Sequence, residues 1–191
     1  MSGQDSRTRI MAATVRCAAE QGVRGFSLED VAAAASLSRT TIYRYFPDGR
    51  DQLLSDTIRW EVGNFWARLA DAVEHLPTLE DRLVAGLVIG RKLMAKSRIL
   101  ANLADPDVKE LIEAAQPTES LIRDVIRSYM QAQIEAEIAA GRLKSKVPVE
   151  LSADYLARMA FSWMGNSPNL DLSNEDEVRR LVQVQFLAAL R

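Results

Sequence analysis

The sequence predicts an all-α chain. Three observations carry that reading. No segment alternates apolar and polar residues for long enough to form a strand. Apolar residues recur instead at three- and four-residue spacing along the whole length. Only nine glycines and six prolines punctuate 191 residues, which favours long regular elements over many turns. The predicted division is a three-helix N-terminal domain over residues 1–50 and a larger helical domain over 51–191.

The first helix is marked by Ile10, Ala13, Thr14, Cys17 and Ala18, one apolar stripe, and Gly22 is placed to cap its end. Cys17 lies inside that stripe, so it reads as a small buried hydrophobe rather than a reactive thiol. A second helix opens at "SLED", where Ser27 and Asp30 have capping-box spacing, and buries Leu28, Val31, Ala32 and Ala35. "SLS" interrupts it, and Ser38 can cap a third helix. There Ile42 and Phe46 point one way, while Arg39, Thr40, Tyr43 and Arg44 share the other face. "FPDGR" ends it. A long helix follows from Arg50 to about His75, and Thr78 caps the next over 79–96. Further helices are expected over 98–104, 107–115, 119–140, 149–165 and 174–190. Gly86 and Gly90 are small residues at i, i+4 that suit a close helix–helix approach.

The totals narrow the function. A 48% hydrophobic, 26% charged composition is that of an ordinary globular protein. One cysteine excludes a disulfide framework and fits a reducing compartment. The opening "MSGQDSRTRI" has no apolar core of a secretion signal, and the longest apolar run, Leu83 to Gly90 between Arg82 and Arg91, is too short to cross a bilayer. A cytoplasmic location without membrane attachment is expected. The net charge of −2 argues against a general polyanion binder, but residues 1–50 hold seven arginines against five acids. A single histidine, His75, leaves no His-based metal site or conventional catalytic triad, and no glycine-rich loop is placed to cradle phosphate. No metal, cofactor or enzymatic activity is expected.

Three short helices with a three-residue turn between the second and third form a helix-turn-helix, which places its third helix in the DNA major groove. Arg39 and Arg44 can reach guanine O6 and N7, and Thr40 and Tyr43 can touch thymine methyls or phosphates. The competing reading of the same spacing is a helix with a solvated basic face.

The stretch "FSLEDVAAAASLSRTTIYRYFPDGRDQLL", Phe26 to Leu54, resembles the DNA-binding domain of the TetR family of bacterial transcriptional regulators. Ala35, Ser38, Thr41, Ile42, Tyr43, Tyr45, Phe46, Arg50, Leu53 and Leu54 supply the family's pattern. The resemblance implies that Ser27, Tyr43, Tyr45 and Arg50 hold phosphates and that Arg39, Thr40, Thr41 and Arg44 lie against base edges. Two departures stand out. Ser36 occupies a turn position that is usually glycine, and a left-handed backbone there would cost it ~1 kcal/mol. The "PDG" loop is one residue longer than the common form and is followed by Arg50 instead of lysine.

For residues 51–191 the resemblance implies a ligand-binding and dimerisation domain. The large apolar side chains there read first as core. The family likeness adds a second reading, a small hydrophobic or amphipathic inducer held by Trp60, Trp66, Met94, Tyr129 and Trp163, with Arg91, Asn102 or His75 as polar anchors. It likewise implies a homodimer through about 119–140 and 149–165 and repression of an operator. The alternative is an architectural DNA protein with a solid core and no inducer.

Overall fold

The computed structural model describes residues 3–97, 100, 117–165 and 171–190. Among these the chain is helical, with no strand: α1 Gly3–Gln21, α2 Leu28–Ala35, α3 Arg39–Tyr45, α4 Arg50–Val73, α5 Leu79–Lys96, α6 Pro117–Ala139, α7 Val149–Gly165 and α8 Glu175–Leu181. The helices expected over 98–104 and 107–115, and Asn102 with them, lie outside the described residues. Two compact units form, and the division through the first 94 residues falls between Asn64 and Phe65, inside α4, rather than at 50/51. The reason is burial. Leu53, Leu54 and Ile58 of α4 are sealed into the N-terminal core.

That core is built by the predicted stripes. Ile10, Ala13, Cys17 and Ala18 of α1, Leu28, Val31, Ala32 and Ala35 of α2, and Ile42 and Phe46 of α3 are all buried. Thr14 joins the buried stripe because its Oγ1 donates to the Ile10 carbonyl at 3.0 Å. Gly22 ends α1 with φ +83° and donates its N–H to the Ala18 carbonyl. At Gly25 a Cβ would lie 2.1 Å from the Gln21 carbonyl oxygen, so the turn into α2 admits no side chain. Arg7 fastens α1 to α4 through Asp56 at 2.7 Å and lies 5.2 Å from the Phe46 ring centroid.

In the second unit α5 buries Leu79, Leu83, Val84, Leu87, Gly90 and Met94. Thr78 caps it as expected, accepting from the Asp81 N–H at 3.1 Å. Arg179 of α8 reaches the Asp81 carboxylate at 2.9 Å, and Arg142 grips the buried Glu137 through two 2.9 Å bonds. A Cβ at Gly86 would meet nothing within 4 Å among the described residues. The helix expected over 174–190 is broken. Asn174 caps α8, which widens at Leu181 into a π turn, Val182–Phe186, and ends in a 3-10 turn, Ala188–Leu190. The changed winding keeps Val182, Phe186, Leu187 and Leu190 all buried.

Candidate nucleic-acid interface

The surface begins with the two caps that aim α2 and α3. Ser27 accepts from the Asp30 N–H at 3.2 Å, and the Asp30 carboxylate accepts from the Ser27 N–H at 2.7 Å and its hydroxyl at 2.6 Å. These bonds hold the Asp30 pKa below its ordinary value, the side-chain bond to Ser27 most of all. Both hydroxyl functions of Ser27 are thereby used inside the cap. The turn beyond α2 passes through Ser36 with φ +52° and ψ +48°, the left-handed backbone its position suggested. Ser38 then caps α3, accepting from the Thr41 N–H at 3.2 Å and pairing with the Thr41 hydroxyl at 2.9 Å.

Within α3, Ile42 and the following Phe46 are completely buried. That burial fixes the helix's rotation, and the opposite face turns outward. Arg39, Thr40, Tyr43 and Arg44 are all exposed. The arginines are not loose. Arg39 pairs with Glu29 and lies 5.9 Å from the Tyr43 ring centroid, while the Arg44 guanidinium lies 5.1 Å from that of Tyr45. Tyr45 is half-buried against the N-terminal core and Thr41 half-buried beside its cap.

Arg50 sits differently from the rest. Its Nε donates to the Phe26 carbonyl at 3.1 Å and its Nη2 to the Val23 carbonyl at 2.7 Å, with the guanidinium over the Phe26 ring. Those bonds cross from α4 to the α1–α2 turn. Local sequence pattern could not reveal them, because the partners lie 24 and 27 residues away. Glu29 was likewise not among the sequence candidates.

The residues considered for ligand binding divide between the units. Trp60 is half-buried against the N-terminal core. In the second unit Trp66 stacks edge-to-face on Phe65 at 5.1 Å, Met94 is buried, Trp163 is half-buried, and Arg91 and His75 are exposed. Tyr129 is half-buried, but its hydroxyl oxygen is fully buried and has no hydrogen-bond partner among the described residues. Burial holds its pKa above the ordinary tyrosine value. In the segments considered for dimerisation, Ile126, Met130 and Ile134 of α6 are buried by their own chain. α7 buries Ala153, Leu156, Ala157 and Ala160 yet leaves Leu151 and Tyr155 exposed one turn apart, 62% and 42% respectively. Among the described residues no group of three metal-ligating side chains comes together, and no helix is long and apolar enough to cross a membrane.

A short helix that buries Ile42 and presents two arginines, a threonine and a tyrosine, set behind a capped helix and a left-handed turn, defines a helix-turn-helix DNA-binding protein. Residues 10–57 match the family of "Bacterial regulatory proteins, tetR family". Over those residues the chain carries the DNA-binding domain of that family of transcriptional regulators. It is 24% identical over 173 residues to the fatty acid metabolism regulator protein of Bacillus subtilis (strain 168), covering 86% of each chain. It is 22% identical over 171 residues to the HTH-type transcriptional repressor KstR2 of Rhodococcus jostii (strain RHA1), covering 86% of this chain and 83% of that one. The fold also resembles the structure of the transcriptional regulator FadR from Bacillus subtilis in complex with stearoyl-CoA, with a TM-score of 0.61, 19% identity, and 92% and 96% of the two chains covered.

Proposed function

We propose that this regulator is a cytoplasmic homodimeric repressor that leaves its operator when the second unit binds an amphipathic ligand with a long acyl chain. The observation that carries the DNA half is the outward face of α3. Arg39 and Arg44 contact base edges with Thr40 and Thr41, while Tyr43 and Tyr45 contact the backbone. Ser27 acts through its cap, presenting the N-terminus of α2 to a phosphate. Arg50 holds the turn beneath that cap and makes no phosphate contact of its own.

The dimer rests on α7, whose Leu151 and Tyr155 expose apolar surface that a monomer leaves uncovered. The inducer's class rests on two supports. One is the likeness to a fatty acid regulator and to a structure bound to stearoyl-CoA. The other is the buried Tyr129 hydroxyl, without a partner among the described residues, which a ligand carbonyl would satisfy. Burying a bare ligand ion would cost several kcal/mol, so a neutral polar group on an apolar chain suits the site better. Because α4 contributes to both units, ligand-dependent displacement of that helix would alter the spacing of the two recognition helices, which must match one DNA turn, ~34 Å.

The test is selection of an operator from random duplexes, followed by titration of the complex with stearoyl-CoA, stearate and free coenzyme A. Release by stearoyl-CoA or stearate, with none by coenzyme A, is expected. An operator complex that survives both acyl compounds would refute the inducer class and leave DNA recognition standing.

A further inference from the structure

Glu29 lies in the first turn of α2, between the Ser27 cap and Asp30, and its carboxylate pairs with Nη1 of Arg39, the first residue of α3. The same guanidinium packs over the ring of Tyr43, one helical turn further along. Arg39 is thus held from two sides, by a carboxylate on the neighbouring helix and by an aromatic ring on its own. The Tyr43 hydroxyl most of all, and then the Glu29 carboxylate, stabilise its charged form. Both partners of the ion pair are more than half exposed, so its contribution to folding is minor. Its placement has a larger consequence. An arginine that docks on a base loses rotamer freedom, and one already fixed loses less. The Nε–Nη2 edge of a guanidinium matches guanine O6 and N7. Gripping Nη1 orients that second edge without occupying it. A carboxylate on a surface facing DNA also repels phosphates whatever the sequence. The repulsion acts at every site along the duplex, whereas the orientation helps only where a guanine faces Arg39.

We propose that Glu29 is a positioning residue for DNA recognition, fixing Arg39 for one guanine while weakening attachment to all other sequences. The proposal rests on the reading of Arg39 as a base-contacting residue. It makes Glu29 a determinant of discrimination that lowers overall affinity.

The experiment compares the full-length wild type with Glu29→Gln, Arg39→Ala and the double variant. Each is titrated against the selected operator, its single-base variants and an unrelated duplex, with thermal melting to confirm folding. Glu29→Gln should bind the unrelated duplex roughly three- to tenfold more tightly. It should also lose about tenfold in discrimination at one base pair, the one where Arg39→Ala loses its preference. In the double variant Glu29→Gln should add nothing at that base pair. Equal tightening on operator and unrelated duplex, with every base preference kept by Glu29→Gln, would overturn the proposal while Arg39 remains a base contact. Unchanged preferences in Arg39→Ala would overturn the base-reading role of Arg39, and the proposal with it.

Discussion

The Arg50 guanidinium lies 4.7 Å from the centroid of the Phe26 ring while its Nε donates to the Phe26 carbonyl at 3.1 Å. With the further bond to Val23, this side chain closes the α1–α2 turn from beneath, next to the Ser27 cap. Charge-assisted hydrogen bonds of this kind contribute ~1.5–3 kcal/mol. Arg50→Ala should therefore lower stability by about 2 kcal/mol in urea unfolding, and Arg50→Lys should recover little because it cannot form the two-pronged contact. The salt dependence of operator binding separates this role from a phosphate contact. Loss of a phosphate contact would flatten the slope of log K against log salt by ~0.9. The expected slope for Arg50→Ala is that of the wild type.

Ser36 is the one non-glycine residue at positive φ among those described. Its N–H is satisfied by the end of α2, and its carbonyl accepts from Arg9 Nη2 at 3.4 Å, so the strain is confined to the Cβ. Ser36→Gly should raise stability by about 0.5–1 kcal/mol, the relief being offset in part by the freer unfolded chain. A midpoint shift at constant m-value in urea would show it. A neutral or negative shift would mean that the serine hydroxyl contributes something its backbone geometry does not show.

The N-terminal helices were legible because their signals are local. Apolar spacing located the buried faces, and the serines at 27 and 38 cap where their positions suggested. The outward-facing set followed from the same spacing, since burial of Ile42 fixes where Arg39 and Arg44 point. Contacts between helices left no such trace. Arg50 reads as a surface cation until Val23 and Phe26 are beside it, and the pairing of Glu29 with Arg39 depends on the angle between α2 and α3. The wide stripe on α6 was ambiguous for a different reason. Apolar periodicity marks a face to be buried but does not say by what, and Ile126, Met130 and Ile134 are covered by their own chain. At the C-terminus, Val182, Phe186 and Leu190 keep four-residue spacing, so the sequence reads as continuous helix where the backbone widens instead.

Acid should act on the same capping box that orients α2. Folding depresses the Asp30 pKa below 3.8 through the two Ser27 bonds. The unfolded state therefore binds the proton more tightly, and stability from this group rises with pH. It is fully present above the ordinary aspartate range and is lost as pH falls through the folded value. Asp81, bonded to Thr78 and Arg179, and Glu137, gripped by Arg142, are depressed in the same direction and add to the loss. Stability measured from pH 6 to pH 2 should fall mainly below about pH 4. Asp30→Asn should be less stable at pH 6 and show a shallower acid decline. A decline as steep as the wild type's would remove Asp30 from the linkage.

Tyr129 offers a test that separates folding from ligand binding. Its buried hydroxyl has no partner among the described residues, and such a group opposes folding by ~1–3 kcal/mol. Tyr129→Phe removes the oxygen and leaves the ring, so the ligand-free protein should gain about 1 kcal/mol and melt a few degrees higher. If the hydroxyl donates to the carbonyl of a bound acyl ligand, the same change should weaken that ligand by a similar amount, about five- to tenfold. A ligand at 100 times its dissociation constant raises native-state stability by ~2.7 kcal/mol. Thermal shifts with stearoyl-CoA should therefore be smaller for Tyr129→Phe than for wild type at matched concentrations. Linkage requires that a ligand which weakens DNA binding be weakened equally by DNA. Operator release should then need proportionally more ligand in the variant. A variant that gains stability but responds to ligand as the wild type does would place the hydroxyl away from the inducer. One that gains no stability would mean that the oxygen is satisfied by bound water.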